Sequence, residues 1–209
     1  MKIGQKNTII SRYRARLAEH GPGIKALASG TEYRRQIRFD VLSDVGVDSG
    51  CSVLDVGCGF ADYYSYLKER GLNVKYTGVD IVPDLIAHAK SNFPDLDLQV
   101  RDIQEEPFPD QSFDFVVASQ VFNYRFGEED NIAFVQEMIR LMFQVAKRGV
   151  AADFVTSYVD FKEDHLKYYS PEQLFGIAKR TTKRVTVRHD YPLYEFCLYL
   201  FPDFAGWKK

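Results

Sequence analysis

The sequence predicts one α/β domain: a doubly wound, mostly parallel sheet of seven strands that ends in a C-terminal antiparallel hairpin. Three observations carry this prediction. From Cys51 onward, short apolar runs alternate with amphipathic ones, the pattern of strand–helix–strand units in a parallel sheet. The first of these runs, 52–56, leads directly into a glycine-rich turn and a helix. The last two runs, 184–188 and 195–201, are joined by a short connection around Pro192, and a link that short permits only an antiparallel pair.

The elements follow in order. Residues 1–48 hold two helical patterns separated by the turn-rich His20-Gly21-Pro22-Gly23. Thr31 is a good N-cap for the second, whose expected apolar face is Tyr33, Ile37, Val41 and Leu42. This segment is expected to form an N-terminal helical lid over a core spanning 49–209. Within the core, 52–56 is a short apolar strand and 62–69 the helix after it. The second strand is 75–81, and Pro83 at a helix N1 position opens a helix through about Asn92. Alternation of Leu96, Leu98 and Val100 marks a third strand over 96–103. The fourth, 113–119, is apolar throughout its middle and so is expected to be buried on both faces. A long helix over 131–147 should end with Lys147 and Arg148 against its C-terminal dipole and Gly149 as its stop, before a fifth strand over 150–155. Ser170-Pro171-Glu172-Gln173 reads as a capping-box helix start.

The chain of 209 residues, 45% hydrophobic and 27% charged, suits one domain with an appended lid. A net charge of −2 gives no sign of a nucleic-acid or membrane surface. No apolar run approaches a membrane span, and the N-terminus lacks the apolar stretch of a secretory signal. The three cysteines, Cys51, Cys58 and Cys197, fit neither a disulfide framework nor a zinc site, which points to a reduced, cytoplasmic protein without a metal.

The chemistry is concentrated at strand ends. After the first strand comes Asp55-Val56-Gly57-Cys58-Gly59-Phe60-Ala61-Asp62, a turn that lets a ligand lie against backbone without a Cβ in the way. Asp80 ends the second strand, where an acid can accept from both ribose hydroxyls of an adenosine. Asp102 ends the third and can accept from the adenine amine, with Ile103 packing on the ring. Taken singly, a glycine turn is often only a tight loop and an Asp at a strand end only a cap. Taken together, three acids stand at the edge where open α/β sheets bind ligands. A dinucleotide would need a glycine where Asp62 stands, and that carboxylate would repel a pyrophosphate. Acids suit instead a nucleoside with a sulfonium and an ammonium.

VLDVGCGFADYYSYL resembles motif I of the class I S-adenosylmethionine (SAM)-dependent methyltransferases. YTGVDI resembles their second motif, RDIQEEPFPDQSFDFVVASQVFN their third and fourth, and YYSPEQL the helix start after their fifth strand. Ala61 departs from the pattern, since many members have a third glycine there. The resemblance covers about 50–201 and implies a Rossmann-like fold with SAM as cofactor. It implies that Asp55, Gly57, Cys58 and Gly59 line the methionine end, Asp80 with Ile81 the ribose, and Asp102 with Ile103 the adenine, while Ser119 and Gln120 pass beneath the cofactor. Arg38 is placed to reach the methionine carboxylate, with a helix-surface salt bridge as the alternative.

Three aromatic-rich segments can close the pocket: the N-terminal helices, 121–127 and 157–169. His165 is the best-placed histidine for a base, and Tyr124 joins it as a candidate catalytic residue; packing or surface roles are the plainer readings of both. His20 sits in a turn and is a weaker candidate. Ser119-Gln120-Val121-Phe122 lacks the Asn/Asp-Pro-Pro-aromatic motif of methyltransferases that act on DNA adenine or protein glutamine. The expectation is therefore methyl transfer to O or N of a small-molecule acceptor, by a monomer or homodimer without a nucleic-acid partner. The alternatives are a non-catalytic SAM-binding protein, a methyltransferase acting on a macromolecule, an aminopropyltransferase and a nicotinamide oxidoreductase.

Overall fold

The computed structural model describes residues 1–203; positions 204–209 of the expected core lie outside the described residues. In chain order the elements are α1 (Ile3–His20), α2 (Glu32–Ser43), β1 (Ser52–Val56), α3 (Asp62–Glu69), β2 (Lys75–Asp80), α4 (Pro83–Asn92), β3 (Asp97–Val100), β4 (Phe113–Ala118), α5 (Glu128–Val145), β5 (Ala146–Val155), α6 (Pro171–Thr181), β6 (Arg184–Arg188) and β7 (Glu195–Phe201). The strands form one seven-stranded sheet in the order β3-β2-β1-β4-β5-β7-β6. β7 alone is reversed, antiparallel to both β5 and β6. The chain runs outward from β1 to β3 and then returns to β4 beside β1. The C-terminal ends of β1 and β4 thus flank the switch point where doubly wound sheets bind ligands.

Period-2 alternation builds the core. Leu54 and Val56 of β1 pack with Val116, Ala152 and Leu198 beneath α5 and α6. Val53, on the opposite face, packs with Val117, Ala151 and Cys197 beneath α2 and α3. Caps behave as expected: Thr31 Oγ1 accepts from Arg34 N at 3.3 Å and Ser170 Oγ from Gln173 N at 3.1 Å. Ala61 occupies a left-handed conformation (φ 63°) ahead of α3, so an alanine holds the glycine-type geometry of the turn.

Three expectations are corrected. α5 begins at Glu128, where Glu128, Glu129 and Asp130 favour its N-terminus, and it ends at Val145. Lys147, Arg148 and Gly149 therefore belong to β5, where Ala146 and Gly149 pair with Phe113 and Phe115 of β4 and Lys147 and Arg148 lie in the bulge between them. Gly149 is a packing glycine, because a Cβ there would lie 3.0 Å from Val45 Cγ2. β3 is shorter than 96–103; as an edge strand it buries Leu98 and leaves Val100 out. Tyr33 is 70% exposed, because α2 packs through its later turns, burying Phe39, Val41 and Leu42. α2 is thus part of the core, whereas α1 has no buried residue.

Candidate active site

The glycine turn is stitched to β2: Gly57 N and Cys58 N both donate to Val79 O, at 2.8 and 3.0 Å. Gly57 has φ 76°, and a Cβ there would come within 2.5 Å of Val121 Cγ2. Any other residue type would have to displace the Val121 side chain and hold a backbone conformation that favours glycine. Asp80 is fixed from two sides, accepting from Gly59 N at 3.0 Å and Val82 N at 2.9 Å. Burial pushes its carboxyl up to about 6 despite these bonds. Asp55 accepts from Tyr76 Oη at 2.6 Å, and burial pushes it up to about 7, with the Asp80 charge adding to the rise. Asp102 accepts from Gln104 N at 3.0 Å, and its Oδ2 lies 3.1 Å from Lys6 Nζ.

A single cavity of about 780 Å³ brings these groups together. Asp55, Gly57, Cys58, Gly59, Asp80, Ile81, Asp102, Ile103, Ser119 and Gln120 all line it. Ser119 and Gln120 are held by a residue that sequence reasoning missed. Asp153 of β5 accepts from Ser119 Oγ at 2.8 Å and from Gln120 N at 2.7 Å, with Gln120 at φ 62°. Burial, reinforced by the neighbouring Glu195 carboxylate, pushes Asp153 up. One signal was present: a lone acid in the apolar run 150–155 must find partners once both faces are covered.

Arg38 lines the cavity as well. Its guanidinium makes a buried bidentate pair with Glu195, at 2.6 and 2.9 Å, and donates to Ser29 O at 3.1 Å. α2 packs against β5, beside which β7 begins at Glu195, so the carboxylate that Arg38 grips bidentately is one of the protein's own.

Tyr124 and His165 also line the cavity. Their segments are joined, since Tyr124 bridges Leu166 and Arg125 N donates to His165 O at 3.1 Å. The His165 ring is half-exposed at the mouth, with Nδ1 3.6 Å from Glu163. α1 lies across the top, supplying Ile9, Arg12, Tyr13, Arg16 and His20 to the lining. Among the described residues, no group of His, Cys, Asp and Glu has the geometry to hold a metal ion, and no helix is long and apolar enough to cross a membrane.

A family model for a methyltransferase domain matches residues 53–144. In Mycobacterium tuberculosis, a relative named as a methyltransferase, Rv1506c, is 33% identical over 152 residues, 70% of this chain and 90% of its own. Two solved structures share the fold. A SAM-dependent methyltransferase from Aquifex aeolicus is 22% identical, with TM-score 0.55 over 81% of this chain and 92% of that one. The phosphoethanolamine N-methyltransferase 1 of Haemonchus contortus, solved with phosphoethanolamine and S-adenosylhomocysteine, is 12% identical, with TM-score 0.69 over 100% of this chain and 51% of that one. The sheet order, the glycine turn and a relative matched along nine-tenths of its length agree, and the chain belongs to the class I SAM-dependent methyltransferases, as an enzyme of that class.

Proposed function

We propose that this enzyme moves the methyl group of SAM to an oxygen or nitrogen of a small-molecule acceptor. The observation that carries this reading is the shared cavity, whose wall holds the three strand-end carboxylates Asp55, Asp80 and Asp102, the glycine turn and the two catalytic candidates while α1 covers it. Its volume lies in the upper part of the roughly 300–1,000 Å³ range of small-ligand pockets, room for a nucleoside cofactor and a compact acceptor.

The residues fit the cofactor. Asp80 is oriented by two backbone donors, which leaves its remaining lone pairs for the ribose hydroxyls. Asp102 and Ile103 take the adenine, with Ser119 and Gln120 beneath. Gly57 and Gly59 let the methionine end approach backbone that a side chain would block, and Asp55 adds negative charge near its cationic groups. When bound, SAM supplies an electrophilic methyl on a sulfonium. His165 would accept a proton when the acceptor presents a hydroxyl or an ammonium, with Tyr124 lining the same end of the cavity. Within 1–48, α1 and the loop 21–30 supply the lid that excludes water.

Thermal shift with SAM, S-adenosylhomocysteine and NAD tests the cofactor assignment. Both sulfur nucleosides should raise the melting temperature by mass action and NAD should not. A shift with NAD alone overturns it. Asp80→Ala should abolish the shift.

A further inference from the structure

The cations of α1 and its N-cap fall into two sets. Those that face the body of the protein are paired. Lys2 meets Asp130 at 2.8 Å, Lys6 meets Asp102 at 3.1 Å and Glu105 at 2.8 Å, and Arg14 meets Asp84 at 2.6 Å. Arg12 and Arg16 line the cavity instead, and no carboxylate of the described residues lies within ion-pair distance of either. They are half-buried and one turn apart, so their side chains share one helical face. Arg12 lies 5.4 Å over the Tyr124 ring, and Arg16 donates to the carbonyls of Ala26 and Lys25 at 3.1 and 2.5 Å.

None of the cavity's own acids is in ion-pair contact with them. Asp62 is paired with Arg35, Glu195 with Arg38 and Asp102 with Lys6, Glu163 stands half-exposed beside His165 at 3.6 Å, and Asp55 and Asp80 accept from Tyr76 and from backbone. Sheet order gives Arg12 a place, while Arg16 meets the carbonyls of 25–26, where Ala26 packs with Val82 and Leu85. Asp80 and Asp102 stand beyond β2 and β3, on one side of β1; Tyr124 follows β4, on the other. Arg12 therefore reaches over the end of the cavity away from the adenosine. A half-buried guanidinium without a counter-ion is a poor use of stability, and an anionic ligand completes it with charge-assisted hydrogen bonds.

We infer that the methyl acceptor carries an anionic group, a carboxylate or a phosphate, held between Arg12 and Arg16 with Tyr124 beside it. This rests on methyl transfer being the chemistry of the site. Calorimetry on protein saturated with S-adenosylhomocysteine tests it, using benzoate, phenyl phosphate and benzamide as probes. At least one of the two anions should bind about tenfold or more tightly than benzamide, and the tighter of the two identifies the head group. Arg12→Gln and Arg16→Gln should each remove most of that preference while leaving affinity for S-adenosylhomocysteine within about twofold. Arg14→Gln, which removes the same charge from outside the cavity, should keep the preference. Far-UV circular dichroism confirms that the variants fold. Equal or absent binding of the three probes overturns the inference, as does weakened S-adenosylhomocysteine binding in place of a lost anion preference. A wild-type protein that ignores S-adenosylhomocysteine instead defeats the methyl-transfer reading on which the inference stands.

Discussion

At the residue scale, the turn after β1 depends on Gly57 and on what faces it. A methyl at that position would meet Val121 Cγ2 at 2.5 Å, in backbone at φ 76° that L side chains rarely adopt. Gly57→Ala should cost about 1–3 kcal/mol of stability and abolish calorimetric binding of S-adenosylhomocysteine. Adding Val121→Ala removes the clash but not the strained φ, so the double variant should recover part of the lost stability. No recovery would mean that the contact is not the cause. The carboxylates at the strand ends were legible because each follows an apolar strand at a fixed place in a repeating unit. Asp153 was not, since its significance comes from β5 lying beside β4, a contact no local pattern records. The ion pair of Arg38 was hidden for the same reason: Glu195 is 157 positions away in sequence.

At the element scale, α1 and α5 have the same length and opposite anchoring. α5 buries residues from Asn131 to Val145, whereas α1 buries none. Only Ile10, Tyr13 and Leu17 of α1 pack, partly buried, on the small cluster of Ala26, Phe60, Val82 and Leu85. Surface ion pairs such as Lys2–Asp130 and Arg14–Asp84 are screened by solvent and add little. The backbone amides of α1 should therefore exchange with solvent far faster than those of α5 in the free protein, and slow when S-adenosylhomocysteine fills the cavity beneath. Hydrogen-exchange mass spectrometry reads both changes; protection of α1 equal to that of α5 before ligand is added would refute its role as the lid. Both helices were visible in the sequence, but their boundaries differed in legibility. The α5–β5 junction was misplaced because Lys147, Arg148 and Gly149 have the chemistry of a helix end, and ladder pairing with Phe113 and Phe115 overrode it.

At the scale of the whole molecule, the acids of the site set a dependence on pH. Asp55 and Asp80 ionise near 3.8 when solvated, and burial lifts them to about 7 and about 6. The folded state thus holds protons that the unfolded chain has released between those limits. Stability contributed by these groups is greatest below about 4 and is lost as pH rises towards 7. Carboxylates lowered by surface partners, such as Asp84 beside Arg14 and Asp130 beside Lys2, work in the opposite sense. They stabilise above their ordinary value and lose that contribution as acid is added, so their window lies below about 4. Between pH 5 and 7.5 the buried acids decide the slope, and urea midpoints of the free protein should fall across that range. Ligand should act against this trend. A ribose donating two hydroxyls to Asp80 favours the ionised carboxylate, so binding of S-adenosylhomocysteine should tighten as pH rises through about 6 and release protons as it does so. Calorimetry at pH 6 in two buffers of different ionisation enthalpy measures that release directly. Uptake of protons, or affinity that does not change between pH 5 and 7.5, would show that Asp80 does not receive the ribose, and the Asp80→Asn variant should show neither the pH dependence nor the proton release.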